Sequence, residues 1–442
     1  MKNMKRTLIG DTPKLIGKKI KLSGWVNVRR DHGKLIFIDL RDRTGIIQMV
    51  VIPDKSEAYN TAREIRNEFV IEVEGLVKER PGSQAKDDCP TGKVEIEVGE
   101  MKIISRVEGE LSFDVSKKEL DLTLPTLLDN RSLSLRNKKT NDIFRVYSQI
   151  LKSYGEVMRD YGFLEIKTPK ILSSATEGGA NFFKIKYFKR DAFLAQSPQF
   201  YKQAGVGAFE RVFEIGPVFR AEPHFTSRHV NEYTGLDAEM GFISSYKDVM
   251  NQLEVVMKRI LRDVERHCKD ILAECGSEFF IPNKFPNVKL TEALEILRKE
   301  YGKESEGIDI DPEGERLISE WAKKTYNSDF IFLTHYPSSA RPFYVMPSPD
   351  HQYTESFDLL FKGVEIATGG QRIHEYGRLL ANIRRHRLNP ADYKDYLEIF
   401  RLGMPLHGGW GLGSERILQK ILSLQSIKEA ILFPRDVKRL TP

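Results

Sequence analysis

The segment VFRAEPHFTSRHVNEYTGLDAEM, which spans Val218–Met240, places cationic and proton-bearing side chains beside apolar runs. Arg220, Arg228 and His229 lie within it, among acidic and aromatic residues. A guanidinium in a dry strand needs an anionic partner that accepts two hydrogen bonds from it. The segment therefore predicts either internal carboxylates or a bound polyanion, and the rest of the chain has to decide between them.

Another cationic position, Arg416, follows a glycine-rich turn in GWGLGSERILQKIL, where a strand pattern changes to an apolar helix pattern. A glycine-x-glycine turn before a helix carries little weight alone. A third pattern, YGFLEIKTP, has Pro169 after an apolar helix and a short strand, which alone is ordinary core architecture. The order of the three patterns along the chain is more informative than any one of them.

The elements that position these residues belong to a chain of 442 residues, which exceeds what one core usually supports, so two or three domains are expected. With 40% hydrophobic and 30% charged residues, the composition is typical of a soluble globular protein. No apolar run approaches the roughly 18–20 residues that span a bilayer, and the N-terminus lacks the apolar part of a secretory signal. We therefore expect a cytoplasmic protein with no membrane contact.

Residues 19–106 carry short strand patterns separated by turn signals. The strands are KIKLSGWVNVRR, KLIFIDLRD, GIIQMVVI, FVIEVEGLVKE and KVEIEVGEMKIIS, with the helical DKSEAYNTAREIRNE between the third and the fourth. Five strands with one helix after the third is the order of the OB fold, a small barrel that binds oligonucleotides on its open face. We predict an OB-fold domain over residues 1–106.

Side chains suited to nucleic acid lie on these strands. Phe37 can supply a stacking platform and Gln48 a hydrogen bond to a base edge, and phosphate contacts can come from Arg29, Arg30, Lys34, Arg41 and Arg43. The alternative for Phe37, within LIFIDL, is a place in the barrel core. The sequence alone leaves both open.

The chain after the barrel changes its period. Residues 107–136 form a turn-rich connector that we interpret as a hinge. Helical spacing follows over 141–161, then strand-like runs set close together as in a largely antiparallel sheet, then a long helix over about 247–273. The predicted fold class is α+β, with the barrel joined by the hinge to an antiparallel sheet domain flanked by helices over 137–442. A variable segment at 274–335 is predicted to be an insertion or a helical excursion.

The three patterns of the second domain resemble motifs 1, 2 and 3 of the class II aminoacyl-tRNA synthetases, in the order and spacing of that family. The resemblance covers nearly the whole chain and is closest to the aspartyl-tRNA synthetases of the archaeal type, in subclass IIb. Its carriers are the barrel and the segments LDNRSLSLRN, SSATEGGANFF, AFLAQSPQFYKQ, RHVNEYTGLDAEM, GVEIATGGQRIHE, GMPLHGGWGLGSERI and FPRDVKRLTP.

This resemblance implies an aminoacyl-tRNA ligase. Such an enzyme activates L-aspartate with ATP to aspartyl-adenylate and transfers the aspartyl group to the 3′ end of tRNA(Asp). Residues 1–106 would then bind the anticodon, and residues 137–442 would form a class II catalytic domain.

The resemblance implies that Arg220 and Arg416 are catalytic. Arg220 would contact the α-phosphate and the reacting carboxylate, while Arg416 and Tyr233 would sandwich the adenine. Arg228 and His229 would approach the γ-phosphate. The implied ATP-binding set is completed by Glu222, Glu365 and Gly413. The family usually has Phe where Tyr233 stands, a change that keeps the ring.

The same resemblance implies a binding site for aspartate. Glu177 and Gln199 would hold the ammonium group, and Arg372 and Lys202 would bind the side-chain carboxylate, with Asp237 orienting these cations. The implied set also includes Arg220 and Thr368. A buried lysine and arginine that faced an amide would keep uncompensated charge, so aspartate is favoured over asparagine.

Magnesium is the implied cofactor, and it prefers hard oxygen ligands. By resemblance, Glu365 bridges the metal, Thr368 assists through its hydroxyl, and Asp358 contributes from further out. For Asp358 the sequence leaves open the alternative of an ordinary paired carboxylate.

For tRNA, the resemblance places Phe37 and Gln48 at the central anticodon base, with Arg29 contributing to the same site. Asn27 stands where strict archaeal enzymes often carry Trp, and Pro90 stands in a PTG turn as in relaxed relatives. Asn27 is also typical of bacterial enzymes, which are often strict. The signals conflict, so the use of tRNA(Asn) besides tRNA(Asp) stays open.

Two other functions share these features: an asparaginyl-tRNA synthetase and a non-catalytic RNA-binding paralogue. Lys202 and Arg372 oppose the first, and the intact Arg220, Arg416 and Glu365 oppose the second.

The resemblance further implies a homodimer, formed through the helix at 141–161 and the strand up to Pro169. His224 and Phe225, at the tip of the loop in the opening segment, match no residue with an implied role.

Overall fold

The computed structural model describes residues 4–86, 89–173, 181–304 and 309–442. The chain divides into two compact units, one comprising Met1–Leu122 with Ser132–Lys139 and the other comprising Thr123–Arg131 with Thr140–Pro442. The predicted hinge at 107–136 holds two short helices, α2 (Leu124–Asp129) and α3 (Arg131–Ser134).

The first unit contains a closed barrel in the strand order β1-β2-β3-β5-β4. Its strands are β1 (Lys19–Asp31), β2 (Ile36–Asp42), β3 (Gly45–Val51), β4 (Val70–Glu79) and β5 (Val94–Ser105), with α1 (Ser56–Glu64) between β3 and β4. Apolar residues alternate along each strand, and the inward set packs into one core. The predicted OB-fold barrel is confirmed.

The second unit is built on a sheet in the order β12-β13-β14-β15-β16-β11-β10-β6. These strands are β6 (Leu164–Glu165), β10 (Arg211–Phe219), β11 (Glu232–Gly241), β12 (Asn287–Lys289), β13 (Phe330–Thr334), β14 (Ser356–Phe361), β15 (Val364–Gln371) and β16 (His407–Leu412). All the neighbouring pairs are antiparallel except β10 with β6 and β12 with β13. A small sheet adds β7 (Ile171–Leu172), β8 (Lys184–Tyr187) and β9 (Arg190–Leu194). The predicted, largely antiparallel sheet is confirmed.

Helices flank this sheet. They are α4 (Lys138–Asp160), α5 (Gln199–Phe209), α6 (Tyr246–His267), α7 (Lys269–Glu274), α8 (Leu290–Tyr301), α9 (Pro312–Tyr326), α10 (Tyr376–Arg385), α11 (Lys394–Arg401) and α12 (Ser414–Ile421). The single helix predicted over 247–273 is in fact α6 followed by α7, because Cys268 leaves helical geometry at φ −120°. The segment 274–335 supplies α8, α9 and two strands of the main sheet.

The sheet has one apolar face and one polar face. Leu236, Ala238 and Ala367 pack with α4 and α6 in the main core. Residues of opposite parity, such as Asp237 on β11 and Thr368 on β15, point to the other face, which carries the cleft described next. The alternation of apolar and polar residues along β11 and β15 thus sets which side chains can do chemistry.

Candidate functional site

A cleft with a volume of about 230 Å³ opens on the polar face of the sheet. Its walls come from α5, from β10 and β11 with the loop between them, from β15 and from the turn before α12. The following predicted site residues line it: Gln199, Lys202, Arg220, Glu222, Arg228, His229, Tyr233, Asp237, Glu365, Thr368, Arg372, Gly413 and Arg416. Residues far apart in the sequence therefore form one site.

One end of the cleft holds a buried lysine. The Nζ of Lys202 donates to Oδ1 of Asp237 at 3.0 Å and to the carbonyl of Trp410 at 2.9 Å, and it lies 3.5 Å from Oε2 of Glu239. The lysine side chain is 2% exposed. A charge this dry persists only with anionic partners, which Asp237 and Glu239 supply.

Arg372 lies at the same end. Its Nε donates to Oε1 of Glu239 at 2.9 Å and its Nη2 donates to the carbonyl of Gly409 at 3.0 Å. A Cβ on Gly409 would lie 2.0 Å from the carbonyl oxygen of Ala238 and 2.4 Å from Oε2 of Glu239, so only glycine fits there. Glu239 thus bridges the two cations, and we call Lys202, Arg372, Asp237 and Glu239 the buried charge cluster.

Burial and pairing act in opposite directions on the two carboxyls of the cluster. Burial raises the pKa of Asp237, although Lys202 beside it acts against this. For Glu239, Arg372 and Lys202 outweigh the effect of burial and lower the pKa. Of the two carboxyl groups, Glu239 is therefore the one whose ionised form is more strongly stabilised.

A neutral hydrogen-bond network lies behind this cluster. Nε2 of Gln199 donates to Oε1 of Gln203 at 3.0 Å, and the hydroxyl of Tyr396 donates to the same oxygen at 2.8 Å. Nδ1 of His407 lies 2.8 Å from the carbonyl of Pro405, so this nitrogen carries the proton, and burial lowers the pKa of the ring. The network fixes Gln199 where it lines the cleft.

The opposite end of the cleft is wetter. The guanidinium of Arg220 lies 3.7 Å from Oε1 of Glu222 and 5.7 Å from the ring centre of Tyr233. Nδ1 of His229 lies 2.6 Å from the hydroxyl of Thr226, and burial lowers the pKa of this histidine. The Arg220 side chain is 44% exposed, so it can be reached by a solvated anion.

Arg228 reaches from the loop between β10 and β11 to two other elements. Its Nη1 donates to Oε2 of Glu315 on α9 at 3.0 Å, and its Nη2 donates to the carbonyl of Gly363 at 2.9 Å. Burial, together with the nearby Glu365, raises the pKa of Glu315 to about 6. The segment 274–335 therefore touches a residue of the cleft.

Arg416 follows the turn at Gly413 and lies in the first turn of α12. Its Nη1 donates to the carbonyl of Glu365 at 2.6 Å. The neighbouring Glu415, which also lines the cleft, accepts a hydrogen bond from the backbone N–H of Thr234 at 2.9 Å. Glu415 thus ties the start of α12 to β11 beside the cleft.

Oxygen ligands for a cation occur on β14 and β15. The hydroxyl of Thr368 donates to Oε1 of Glu365 at 3.0 Å. Asp358, paired with Thr368 across the strands, accepts from Arg341 through Oδ2 at 2.7 Å, and its buried Oδ1 has no hydrogen-bond partner among the described residues. Burial raises the pKa of Asp358 to about 6, whereas Arg416 and Arg341 overcome burial and lower that of Glu365.

Asp358 is the one predicted metal ligand that does not line the cleft, and the structure shows it paired with Arg341 through one oxygen, while its role toward a metal stays a prediction. In the described part of the chain, no group of three or more His, Cys, Asp or Glu side chains is arranged to hold a metal ion. Glu177 lies outside the described residues.

Three residues of the site were missed from the sequence. Glu239 lies two positions after Asp237 on β11, so strand alternation could have found it. Arg341, which lines the cleft and stacks 3.7 Å from the ring centre of Tyr336, and Glu315 had no local signal.

The loop tip without an implied role contacts the C-terminal part of the chain. The ring centre of Phe225 lies 3.7 Å from Nζ of Lys428 and 4.3 Å from Nζ of Lys438. The ring of His224 lies 5.2 Å from that of His229. The loop tip is thus held by cation–π contacts.

On the barrel, Phe37 lies between the buried Ile36 and Ile38 and points outward, so it is not a core residue. Gln48 shares this outer face and donates to Oε2 of Glu95 at 3.1 Å. Arg30, which is opposite Phe37 on β1, also lies there.

Arg29 lies elsewhere. It is opposite Ile38, whose side chain is in the core, and its Nε donates to the carbonyl of Ala62 on α1 at 2.8 Å. Of the three predicted anticodon residues, the structure brings Phe37 and Gln48 together and directs Arg29 to α1.

The predicted specificity residues are both accessible in part. Oδ1 of Asn27 accepts from Nη1 of Arg41 at 2.9 Å, and Arg41 is also paired with the buried Glu68 at 3.0 Å. Pro90 is exposed in the turn before β5.

Two family models match the chain. The model of class II tRNA synthetases (D, K and N) matches residues 123–437, and the model of the OB-fold nucleic acid binding domain matches residues 20–104. The second match coincides with the barrel.

Curated relatives match over nearly the full length. The chain is 44% identical to an aspartate–tRNA(Asp/Asn) ligase of Aeropyrum pernix and 42% identical to an aspartate–tRNA(Asp) ligase of Pyrococcus horikoshii, with 98% of each chain covered in both matches.

Solved structures match equally completely. An aspartyl-tRNA synthetase of Entamoeba histolytica has a TM-score of 0.88 at 30% identity, covering 100% of this chain and 93% of that one. An asparaginyl-tRNA synthetase of Pyrococcus horikoshii, complexed with asparaginyl-adenylate, has a TM-score of 0.88 at 31% identity, covering 97% and 98%. The fold alone therefore does not separate the two amino acids. With most of its length matched by the model and by full-length relatives, the chain belongs to the class II tRNA synthetase family of the D, K and N enzymes.

Proposed function

We propose that this chain is an aspartate–tRNA ligase, which forms aspartyl-adenylate from L-aspartate and ATP and transfers the aspartyl group to the 3′ end of tRNA(Asp). The observation that carries the proposal is the buried charge cluster. Lys202 and Arg372 line the cleft and are 2% and 5% exposed, so they can meet a small anion in a dry environment. The names of the full-length relatives support the same activity.

The cluster favours aspartate over asparagine through the hydrogen-bond donors that it presents. Lys202 and Arg372 are matched by Asp237 and Glu239, and Nη1 of Arg372 has no hydrogen bond among the described residues. A guanidinium edge of this kind donates charge-assisted hydrogen bonds to a carboxylate. The amide of asparagine would bring its own N–H donors against these cations, and the unmet donors would cost affinity.

The chemistry requires positioning more than covalent help. An oxygen of the aspartate α-carboxylate attacks the α-phosphorus of ATP, the bond to the β-phosphate oxygen breaks, and pyrophosphate leaves with its electron pair. Arg220 is proposed to stabilise negative charge on the α-phosphate and to orient the carboxylate. A hydroxyl of the terminal tRNA ribose then attacks the aspartyl carbonyl and AMP leaves.

The remaining contacts with ATP are proposed for the residues at the solvent-exposed end of the cleft. Arg416 and Tyr233 both line the cleft and are proposed to hold the adenine between a guanidinium and a ring. Arg228 and His229 are proposed to face the γ-phosphate, with Glu222 and Gly413 shaping the site. Solvent-exposed cations suit a triphosphate, because this ligand is highly charged and stays partly hydrated when it binds.

The oxygen ligands fit magnesium. Glu365, Thr368 and the unpartnered Oδ1 of Asp358 are hard donors, and magnesium usually takes one or two carboxylates and fills its other positions with water and phosphate oxygens. We propose that these residues hold Mg²⁺ with ATP. When bound, the ion would neutralise charge on the phosphates and on the leaving pyrophosphate.

We propose that the outer face of the barrel binds the anticodon. Phe37 offers a ring for base stacking and Gln48 an amide for a base edge. Arg30, which lies opposite Phe37, is a better candidate than Arg29 for a phosphate contact on this face. Asn27 and Pro90 are proposed to influence the choice between tRNA(Asp) and tRNA(Asn), and the relatives' names cover both specificities.

A cytoplasmic homodimer is part of the proposal, with α4 and β6 at the dimer interface. Within the described residues, no helix has the length and apolarity needed to cross a membrane. Sedimentation analysis tests the dimer, and a fully active monomer would contradict it.

The decisive experiment is pyrophosphate exchange with aspartate or asparagine, followed by charging of purified tRNA(Asp) and tRNA(Asn). We expect exchange with aspartate only. Exchange driven by asparagine would overturn the aspartate assignment. Aspartate transferred to both tRNAs would identify a relaxed enzyme, and transfer to tRNA(Asp) alone a strict one.

A further inference from the structure

The segment 274–335, to which the sequence assigns no role, places a carboxylate against Arg228, a residue that lines the cleft. Oε2 of Glu315, in the first turn of α9, lies 3.0 Å from Nη1 of Arg228. The Glu315 side chain is 17% exposed and that of Arg228 is 28% exposed, so the pair is shielded better than most surface ion pairs.

Glu315 is itself held firmly. Asp311 caps α9 by accepting a hydrogen bond from the N–H of Gly314 at 2.8 Å, which fixes the helix turn that carries Glu315. On the same helix, Leu317 and Ile318 pack into an apolar core with α8 and β13. The carboxylate therefore projects from a rigid element.

The second anchor of Arg228 is tied to the same helix. Arg228 donates from Nη2 to the carbonyl of Gly363, in the turn between β14 and β15. Gly363 has φ +78°, and a Cβ there would lie 3.2 Å from Cα of Arg316. The turn thus packs directly on α9, so Glu315 and the Gly363 carbonyl keep a fixed separation.

The loop that carries Arg228 has its own contacts close by. The backbone N–H of Arg228 donates to the hydroxyl of Thr226 at 3.1 Å, and the carbonyl of Ser227 accepts from the N–H of Ile427 at 2.9 Å. These contacts hold the backbone of the loop. The direction of the Arg228 side chain is set by its hydrogen bonds to Glu315 and Gly363. A guanidinium has five N–H groups, so two fixed hydrogen bonds leave others for an incoming anion.

We propose that Glu315 is a positioning residue for ATP, which holds Arg228 toward the triphosphate end of the cleft before ATP binds. This inference rests on the proposed function and extends it to the segment 274–335. Ordering an arginine side chain costs entropy, and in this arrangement the cost is met during folding instead of during binding. Glu315 does not touch the reacting atoms.

The test is Glu315→Gln, which removes the charge at nearly constant shape. Steady-state pyrophosphate exchange should show the KM for ATP raised about fivefold, the range of one partly exposed ion pair, with kcat and the KM for aspartate within about twofold. The matched control is Glu320→Gln on the same helix, because Glu320 pairs only with the exposed Arg316 among the described residues. It should leave the KM for ATP unchanged.

A double-variant cycle separates positioning from a general structural effect. In an Arg228→Gln background, Glu315→Gln should add nothing to the KM for ATP. An equal effect in both backgrounds, or an unchanged or lower KM in the single variant, would overturn the proposal; a lower KM would mean that Glu315 competes with phosphate for Arg228.

Two further measurements keep the outcome decisive. Calorimetric binding of ATP alone reads the same effect without aspartate activation, so a wild-type chain that fails to activate aspartate defeats the proposed function and not this inference. Glu315→Asp, which keeps the charge and cannot reach Arg228 at the same distance, replaces the Gln variant if the latter unfolds, and it should raise the Kd for ATP as well.

Discussion

The two ends of the cleft, each proposed to bind an anion, differ in how far their cationic side chains are exposed to solvent. At the aspartate end, the side chains of Lys202 and Arg372 are 2% and 5% exposed and each touches a buried carboxylate. At the triphosphate end, those of Arg220 and Arg416 are 44% and 31% exposed. We propose that the buried cluster discriminates between a carboxylate and an amide, and that the exposed cations bind a highly charged ligand chiefly through its charge.

The largest effect is expected for Arg372→Leu. The variant removes the guanidinium that is proposed to bind the aspartate side chain, and it leaves Glu239 buried with one cation fewer. We expect aspartate-dependent pyrophosphate exchange to fall by about a thousandfold, the loss expected for about 4 kcal/mol. Circular dichroism should show the fold intact, and near-normal exchange would remove Arg372 from the substrate site.

Stability should separate the two ends as clearly as activity does. Lys202→Met leaves Asp237 buried without its cation, which we expect to lower the free energy of unfolding by about 3–5 kcal/mol. Arg228→Gln at the exposed end should cost about 1 kcal/mol or less. Urea unfolding of both variants measures the difference, and equal losses would contradict the contrast between the ends.

Glu239→Gln should weaken aspartate binding without removing a group that touches aspartate. Because Glu239 orients both Arg372 and Lys202, we expect the KM for aspartate to rise about thirtyfold, or about 2 kcal/mol, with a smaller change in the KM for ATP. Glu254→Gln is the matched control, since Glu254 is a buried carboxylate on α6 that pairs with Lys258 and does not line the cleft. If both variants raise the KM for aspartate equally, Glu239 has no orienting role.

The smallest effect on activity is expected from a substitution on the barrel. Phe37→Ala should raise the KM for tRNA about tenfold, the range of one lost stacking contact, and leave pyrophosphate exchange unchanged. Ile38→Ala, one residue along and inward, should instead lower barrel stability by about 2–5 kcal/mol. An unchanged KM for tRNA in the Phe37 variant would remove the outer face as the anticodon site.

The barrel strands were predictable because their apolar residues alternate, and the same alternation places Phe37 outside once Ile36 and Ile38 are known to be inside. The cleft residues were predicted from the resemblance to the synthetase family, and the structure places those it describes, apart from Asp358, along one cleft. Glu315 and Arg341 were not predictable, because their partners, Arg228 and Asp358, lie on other segments and no local pattern encodes such pairings. The break at Cys268 was hidden by apolar spacing that continues through it.

The place of β13 in the main sheet bears on how far this chain can be shortened. β13 pairs with β14, and β14 in turn pairs with β15, the strand that carries Glu365 and Thr368. A truncated protein without residues 287–334 would turn β14 into an edge strand, whose unpaired N–H and carbonyl groups invite pairing with another chain. A minimal catalytic core for engineering therefore has to retain this segment or replace its strand.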